Sequence, residues 1–191
     1  MKIAILGWGS LIWDKRNLDI EKNDKGEEWF LNGPVLPIEF SRISNDGRLT
    51  LVIDSANGTE VKTLYCFSKY KSIDEAVLNL AIREGCPRER IGYYVSGKQS
   101  KVYPEDFKSK VSISDWCEGE KIEAIIWTNL KSNFKDKIGT NFSIKDAIFY
   151  LKFSFFETQV KAEEYIRRTP VQIRTPLRDS AEKEFNWLPI S

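Results

Sequence analysis

"AILGWGSLIWD", residues 4–14, is an apolar run that breaks at Gly7-Trp8-Gly9-Ser10 and then resumes. A strand ending in a glycine-rich turn first suggests a nucleotide site, and the spacing excludes one. The dinucleotide fingerprint needs a third glycine three residues after the second, where this chain has Ile12. The mononucleotide loop ends in Lys followed by Ser or Thr, and no such pair follows. Leu11–Asn17 also continues as extended chain into a polar loop, not as a helix. What is left is a backbone turn with two glycines and a hydroxyl. Glycine lets main chain approach a ligand closely, and consecutive N–H groups in such a turn form a small concavity for an anion. The competing explanation is that the glycines only turn the chain while Trp8 packs in the core.

The rest of the composition narrows the choice. With 191 residues the chain has the length of one domain, residues 1–191, able to bury about 70% of its unfolded surface. Lys and Arg number 29 against 28 Asp and Glu, a net charge of +1, which gives no global field to attract nucleic acid or an anionic membrane. No apolar run has the length of a membrane span, and Met1-Lys2 leads into a strand instead of a secretion signal. Cys66, Cys86 and Cys117 are odd in number and lack metal-ligand spacing, which suits reduced thiols in a cytoplasmic protein. The chain has no histidine. That excludes Ser-His and Cys-His triads and every His-ligated metal, so no metal and no cofactor are expected. Acid–base chemistry then falls to a carboxylate, a lysine or a tyrosine.

Working outward, residues 2–7 form a buried strand ended by glycine, and a polar loop covers 14–28. Residues 35–68 have the pattern of an antiparallel meander, with Asp46-Gly47 as a hairpin turn. The period then changes. "SIDEAVLNLAIREG" predicts a helix with Ser72 as N-cap, Glu75 completing a capping box and Gly85 as the stop. Strands follow at 91–97 and 121–129, with a mobile-looking connection between them. Residues 143–168 predict one long helix, N-capped by Ser143, whose apolar stripe includes Ala147, Ile148, Leu151, Phe155 and Phe156. The remaining tail reads as irregular, with Trp187 packing back. The expected fold class is α+β: a curled, mostly antiparallel sheet of five to seven strands or a small barrel, with two main flanking helices.

Among the acidic residues, Glu84 stands apart because it ends the first helix just before Gly85. The negative end of a helix dipole, and nearby aromatic surface, raise a carboxyl group's proton affinity, as a general base near neutrality requires. An arginine in a strand beside the turn, Arg42, could pair a carboxylate bidentately. It belongs to a wider basic set with Arg48, Arg167, Arg168, Arg174 and Arg178. Cys86 has no base near it in sequence and is discounted as a nucleophile.

"GWGSLIW" after the first strand, with "REG…GYYV" after the first helix, resembles the gamma-glutamylcyclotransferase-like superfamily over residues 3–95. The resemblance implies that Trp8, Gly9, Ser10 and Leu11 hold the substrate's carboxylate or carbonyl and that Glu84 is the catalytic base. It further implies that a substrate α-amine attacks its own γ-amide carbonyl, giving 5-oxoproline and a free amine, a transferase or lyase outcome without metal. The partner would be a small-molecule amine or γ-glutamyl compound, with no nucleic acid and no membrane. The chain departs from the family in Trp8, which stands where tyrosine is usual, and in "CPRER", which lengthens the link from Gly85 to Gly92. These departures leave two alternatives open: a non-catalytic binding or interaction module on the same fold, and an amide-processing enzyme acting on another acyl group. The released amine and the oligomeric state stay open as well.

Overall fold

The structure, a computed structural model, describes residues 1–22, 26–97 and 100–190, so part of the expected polar loop, at 23–25, lies outside the described residues. In chain order the elements are β1 (Ile3–Gly7), β2 (Val35–Ile43), β3 (Leu49–Ile53), β4 (Thr59–Lys62), β5 (Leu64–Phe67), α1 (Ile73–Glu84), β6 (Ile91–Val95) and β7 (Lys101–Tyr103). They continue with α2 (Lys110–Glu120), β8 (Ala124–Thr128), α3 (Phe134–Ile138), α4 (Ile144–Phe153), α5 (Phe156–Arg168) and α6 (Pro176–Phe185), and a short 3₁₀ helix (Arg88–Arg90) precedes β6. Contacts divide the chain into two compact units. The first comprises Met1–Gly7, Asp14–Val35 and Lys62–Leu130; the second comprises Trp8–Trp13, Leu36–Val61 and Lys131–Ser191. No helix among the described residues is long and apolar enough to cross a membrane.

In the first unit five strands form a mixed sheet in the order β5-β1-β8-β6-β7. β1 runs parallel to β8, pairing Ile3 with Ala124 and Ile5 with Ile126, and antiparallel to β5. All five β1 residues are buried, as an interior strand covered on both faces requires. α1 lies against β6 and β8 and buries Ala76, Val77, Leu80 and Ala81. Gly85 stops it in the left-handed region at φ +62, its N–H reaching the Ala81 and Ile82 carbonyls. Ser72 occupies the N-cap, yet its side chain makes no capping bond, so the expected capping box does not form. Gly92 sits opposite Trp127 in the ladder, and an added Cβ there would lie 2.3 Å from the buried indole. A glycine inside a strand marks such a close approach.

The second unit has a three-stranded sheet, β3-β2-β4, with α3, α4, α5 and α6. The hairpin between β2 and β3 closes through Ser44 and Arg48, as the Asp-Gly signal indicates. The buried Arg178 of α6 gives its guanidinium N–H groups to the Thr169, Pro170 and Ile173 carbonyls, binding the loop before α6 to its first turn.

The α+β class holds, but its details are corrected. Among the described residues there is no closed barrel. The expected meander is interrupted at Thr63, whose N–H and hydroxyl bond the Pro34 carbonyl. β4 therefore stays with β2, while β5 joins β1 in the other sheet. The link between the strands at 91 and 124 carries β7 and α2. The expected long helix over 143–168 is two helices. Ser154 leaves helical geometry at ψ 159, and its hydroxyl takes the Tyr150 carbonyl while Gln159 takes those of Leu151 and Lys152. Side chains thus satisfy the acceptors that another turn of helix would use. Phe155 and Phe156, assigned to the buried stripe, are consequently 89% and 78% exposed. The tail is also ordered: Thr175 caps α6, Pro176 fills its first position, and Trp187 meets the Phe185 ring at 4.7 Å, tilted by 39°.

Candidate functional site

The turn after β1 belongs to the second unit and is anchored there by its large side chains. Trp8 is buried and donates its indole N–H to the Leu51 carbonyl at 3.3 Å, and Leu11 is buried beside it in sequence. These two side chains therefore pack the core, and only their backbone groups remain for a ligand. The turn closes through the Ile12 N–H on the Gly9 carbonyl at 3.0 Å. Among the described residues, the N–H groups of Gly9, Ser10 and Leu11 donate to no protein acceptor. Consecutive free donors of this kind suit an anion or a carbonyl oxygen.

Gly9 is required here for space. A Cβ built on it would lie 2.2 Å from the Tyr165 hydroxyl oxygen and 3.2 Å from its Cζ. α5 thus brings a phenol directly against the turn. The Tyr165 ring meets Trp13 edge-on at 5.4 Å and Phe40 at 6.1 Å. The Arg48 guanidinium stands over the same ring, 5.2 Å from its centroid, and Arg168 stands over Trp13 at 5.6 Å. Arg42, the strand arginine expected beside the turn, gives its Nη1 to the Lys131 carbonyl at 2.8 Å. Arg48 is the arginine that the structure sets on the ring packed against Gly9.

Glu84 belongs to the first unit. Its carboxylate pairs with Arg83, whose Nε also donates to the Asp14 carbonyl at 3.1 Å. The Arg83 side chain is nearly fully buried, while 16% of the Glu84 side chain reaches solvent. The neighbour that fixes this carboxylate is therefore an arginine, where aromatic surface was expected. The signal for Arg83 lay in the spacing: positions 76, 80 and 83 follow one helical stripe, and the other two are buried apolar residues. The "CPRER" insertion folds as the 3₁₀ turn, with the Arg90 carbonyl accepting from Asn129. Burial, and then the Glu84 charge, push the Cys86 thiol up, which suits an inert cysteine. Two clefts of the first unit, about 560 and 490 Å³, have neither Glu84 nor Asp14 in their walls.

One further carboxyl group is perturbed. Glu39 of β2 is fully buried. Its Oε1 accepts from Thr175 Oγ1 at 2.6 Å and from the Phe40 N–H at 2.8 Å, while its Oε2 has no partner. Burial dominates over these bonds and raises its pKa to about 7. It fastens β2 to the N-terminus of α6. Among the described residues no group of three His, Cys, Asp or Glu side chains is arranged to hold a metal ion. Comparison of the chain with protein-family models, with curated proteins and with solved structures finds no match.

Proposed function

We propose that the protein is a gamma-glutamyl cyclotransferase-type enzyme, converting a γ-glutamyl compound to 5-oxoproline and a free amine. The observation that supports this most is the fixing of Glu84: one buried guanidinium holds both its carboxylate and the carbonyl of Asp14, where the chain leaves the Gly9–Ser10 turn. Glu84 takes a proton from the substrate's α-ammonium group. The freed nitrogen attacks the γ-carbonyl carbon and closes a five-membered ring. The resemblance assigns stabilisation of the oxyanion to the backbone N–H groups of Gly9, Ser10 and Leu11. The original amide C–N bond then breaks as the protonated Glu84 gives its proton to the departing amine. The ring nitrogen, still carrying one proton too many after the attack, passes it to the regenerated Glu84 carboxylate and on to the amine, which leaves as an ammonium ion beside the neutral lactam of 5-oxoproline. Both reacting groups lie in one molecule, so holding the folded-back conformer supplies much of the acceleration.

The test is a panel of γ-glutamyl amino acids, glutathione and γ-glutamyl amines, with 5-oxoproline as the readout. Enzyme-dependent 5-oxoproline from at least one member is expected. A folded protein that yields none across the panel is not a cyclotransferase.

A further inference from the structure

We infer that Arg48 anchors the substrate's free α-carboxylate, which makes the protein selective for γ-glutamyl compounds that retain that group. The inference rests on the cyclotransferase assignment and extends it to a residue and a substrate class. Three observations in the second unit carry it. The turn places three unpaired N–H donors in succession, enough for the γ-carbonyl oxygen but without a full positive charge for a carboxylate. Tyr165, packed against Gly9, carries the Arg48 guanidinium on its ring face. And Arg48 Nε is buried yet donates no hydrogen bond, its nearest carboxylate oxygen, Asp46 Oδ1, being 3.6 Å away.

A guanidinium offers a planar fork that matches a carboxylate with two parallel bonds, and a buried donor left unmade is costly. Binding a carboxylate would relieve that cost. Asp46 does not fill the role: its Oδ1 lies 3.6 Å from Arg48 Nε, beyond hydrogen-bond distance, and already accepts from the Ser44 hydroxyl at 2.5 Å. Arg168 is matched by Glu164 at 3.0 Å and adds no net charge. The stacked position also fixes the fork: the side chain lies on an aromatic face, which restricts its rotamers before ligand arrives.

The experiment compares two ring compounds, 5-oxoproline and 2-pyrrolidinone, which differ by the carboxylate alone. Binding is measured by calorimetry on the full chain, for the wild type and for Arg48→Met and Arg48→Lys. Methionine keeps an unbranched chain on the Tyr165 ring and removes the charge, and lysine keeps the charge without the fork. Thermal melts report whether each variant is folded. The expected result is 5-oxoproline binding weakened about 10- to 100-fold by Arg48→Met, and weakened less by Arg48→Lys. Binding of 2-pyrrolidinone should be weak and equal in all three. On a γ-glutamyl substrate Arg48→Met should raise KM with kcat little changed, since a carboxylate remote from the reacting bond is held equally in ground and transition states. A folded Arg48→Met that binds 5-oxoproline as tightly as wild type, or turns substrate over with unchanged KM, overturns the Arg48 assignment and leaves the cyclotransferase assignment standing. A wild type that neither binds 5-oxoproline nor forms it from the panel overturns both.

Discussion

Adding a single methyl group at Gly9 tests whether the turn is held against Tyr165. The alanine Cβ would lie 2.2 Å from the phenol oxygen, against 3.4–4 Å for ordinary contact, so about 1.2 Å of movement is needed. The ring has little freedom to give it, being buried and flanked by Trp13, Phe40 and Arg48. Overpacking of this kind costs about 1–3 kcal/mol. In a chain of this length each kcal/mol lowers Tm by about 2–4 °C, so a cost of about 2 kcal/mol corresponds to about 4–8 °C. Removing the obstructing oxygen with Tyr165→Phe should return part of the loss. The Cβ then meets Cζ at 3.2 Å, a contact relieved by a shift of a few tenths of an ångström. Calorimetric melts of wild type, both single variants and the double variant form a cycle that isolates the pair. A Gly9→Ala protein that melts with wild type, or a penalty unchanged in the Tyr165→Phe background, would refute the contact.

Glu39 gives a pH signature. Its carboxyl group titrates near pH 7 when folded and near 4.5 when unfolded, so the folded state holds a proton that the unfolded chain has released. Its contribution is complete below pH 4.5 and is lost as pH rises toward 7, by about 3 kcal/mol in all; urea midpoints at pH 5 and pH 8 should show this fall in wild type and lack it in Glu39→Gln. Gly92→Ala drives a methyl group into the buried Trp127 indole, a rigid neighbour, and should lower Tm by more than Gly9→Ala does; an unchanged melt would contradict the close packing of β6 on β8. Turnover should be indifferent to EDTA, because the described residues offer no cluster that could hold a metal; loss restored by a divalent ion would reveal a carboxylate site.

Local signals carried far into the fold. β1, the Asp46-Gly47 hairpin, α1 and its Gly85 stop follow from apolar period, turn chemistry and left-handed capping, each confined to neighbouring residues. The parallel pairing of β1 with β8 joins residues about 120 positions apart, and no local pattern encodes it. The break at Ser154 was hidden for another reason: its sequence keeps a helical period, and only the capping by Ser154 and Gln159 side chains ends the ladder. Of the candidate residues, the turn and Glu84 each stand out in the sequence, the one by its glycines and the other by its place at an element's end. Arg83 was legible only as a charged residue on an apolar stripe. Tyr165 was not legible, since a tyrosine on an amphipathic helix looks the same whether it meets solvent, core or a distant glycine turn. Arg48 had the converse ambiguity, one exposed-looking arginine among six.

The most direct measurement of the central claim is the rate of 5-oxoproline release by wild type and by Glu84→Gln on the same γ-glutamyl substrate. Glutamine keeps the size of the side chain and a hydrogen-bonding oxygen beside Arg83, and it cannot take the proton. The exchange leaves no cavity, but it removes the carboxylate paired with the nearly buried Arg83 guanidinium, so Tm should fall while the melt stays cooperative. The expected result, assayed well below that melt, is a fall in kcat of about 10²- to 10⁴-fold, the range of a positioned acid–base group. Turnover undiminished in a folded Glu84→Gln protein would contradict the claim that Glu84 is the base.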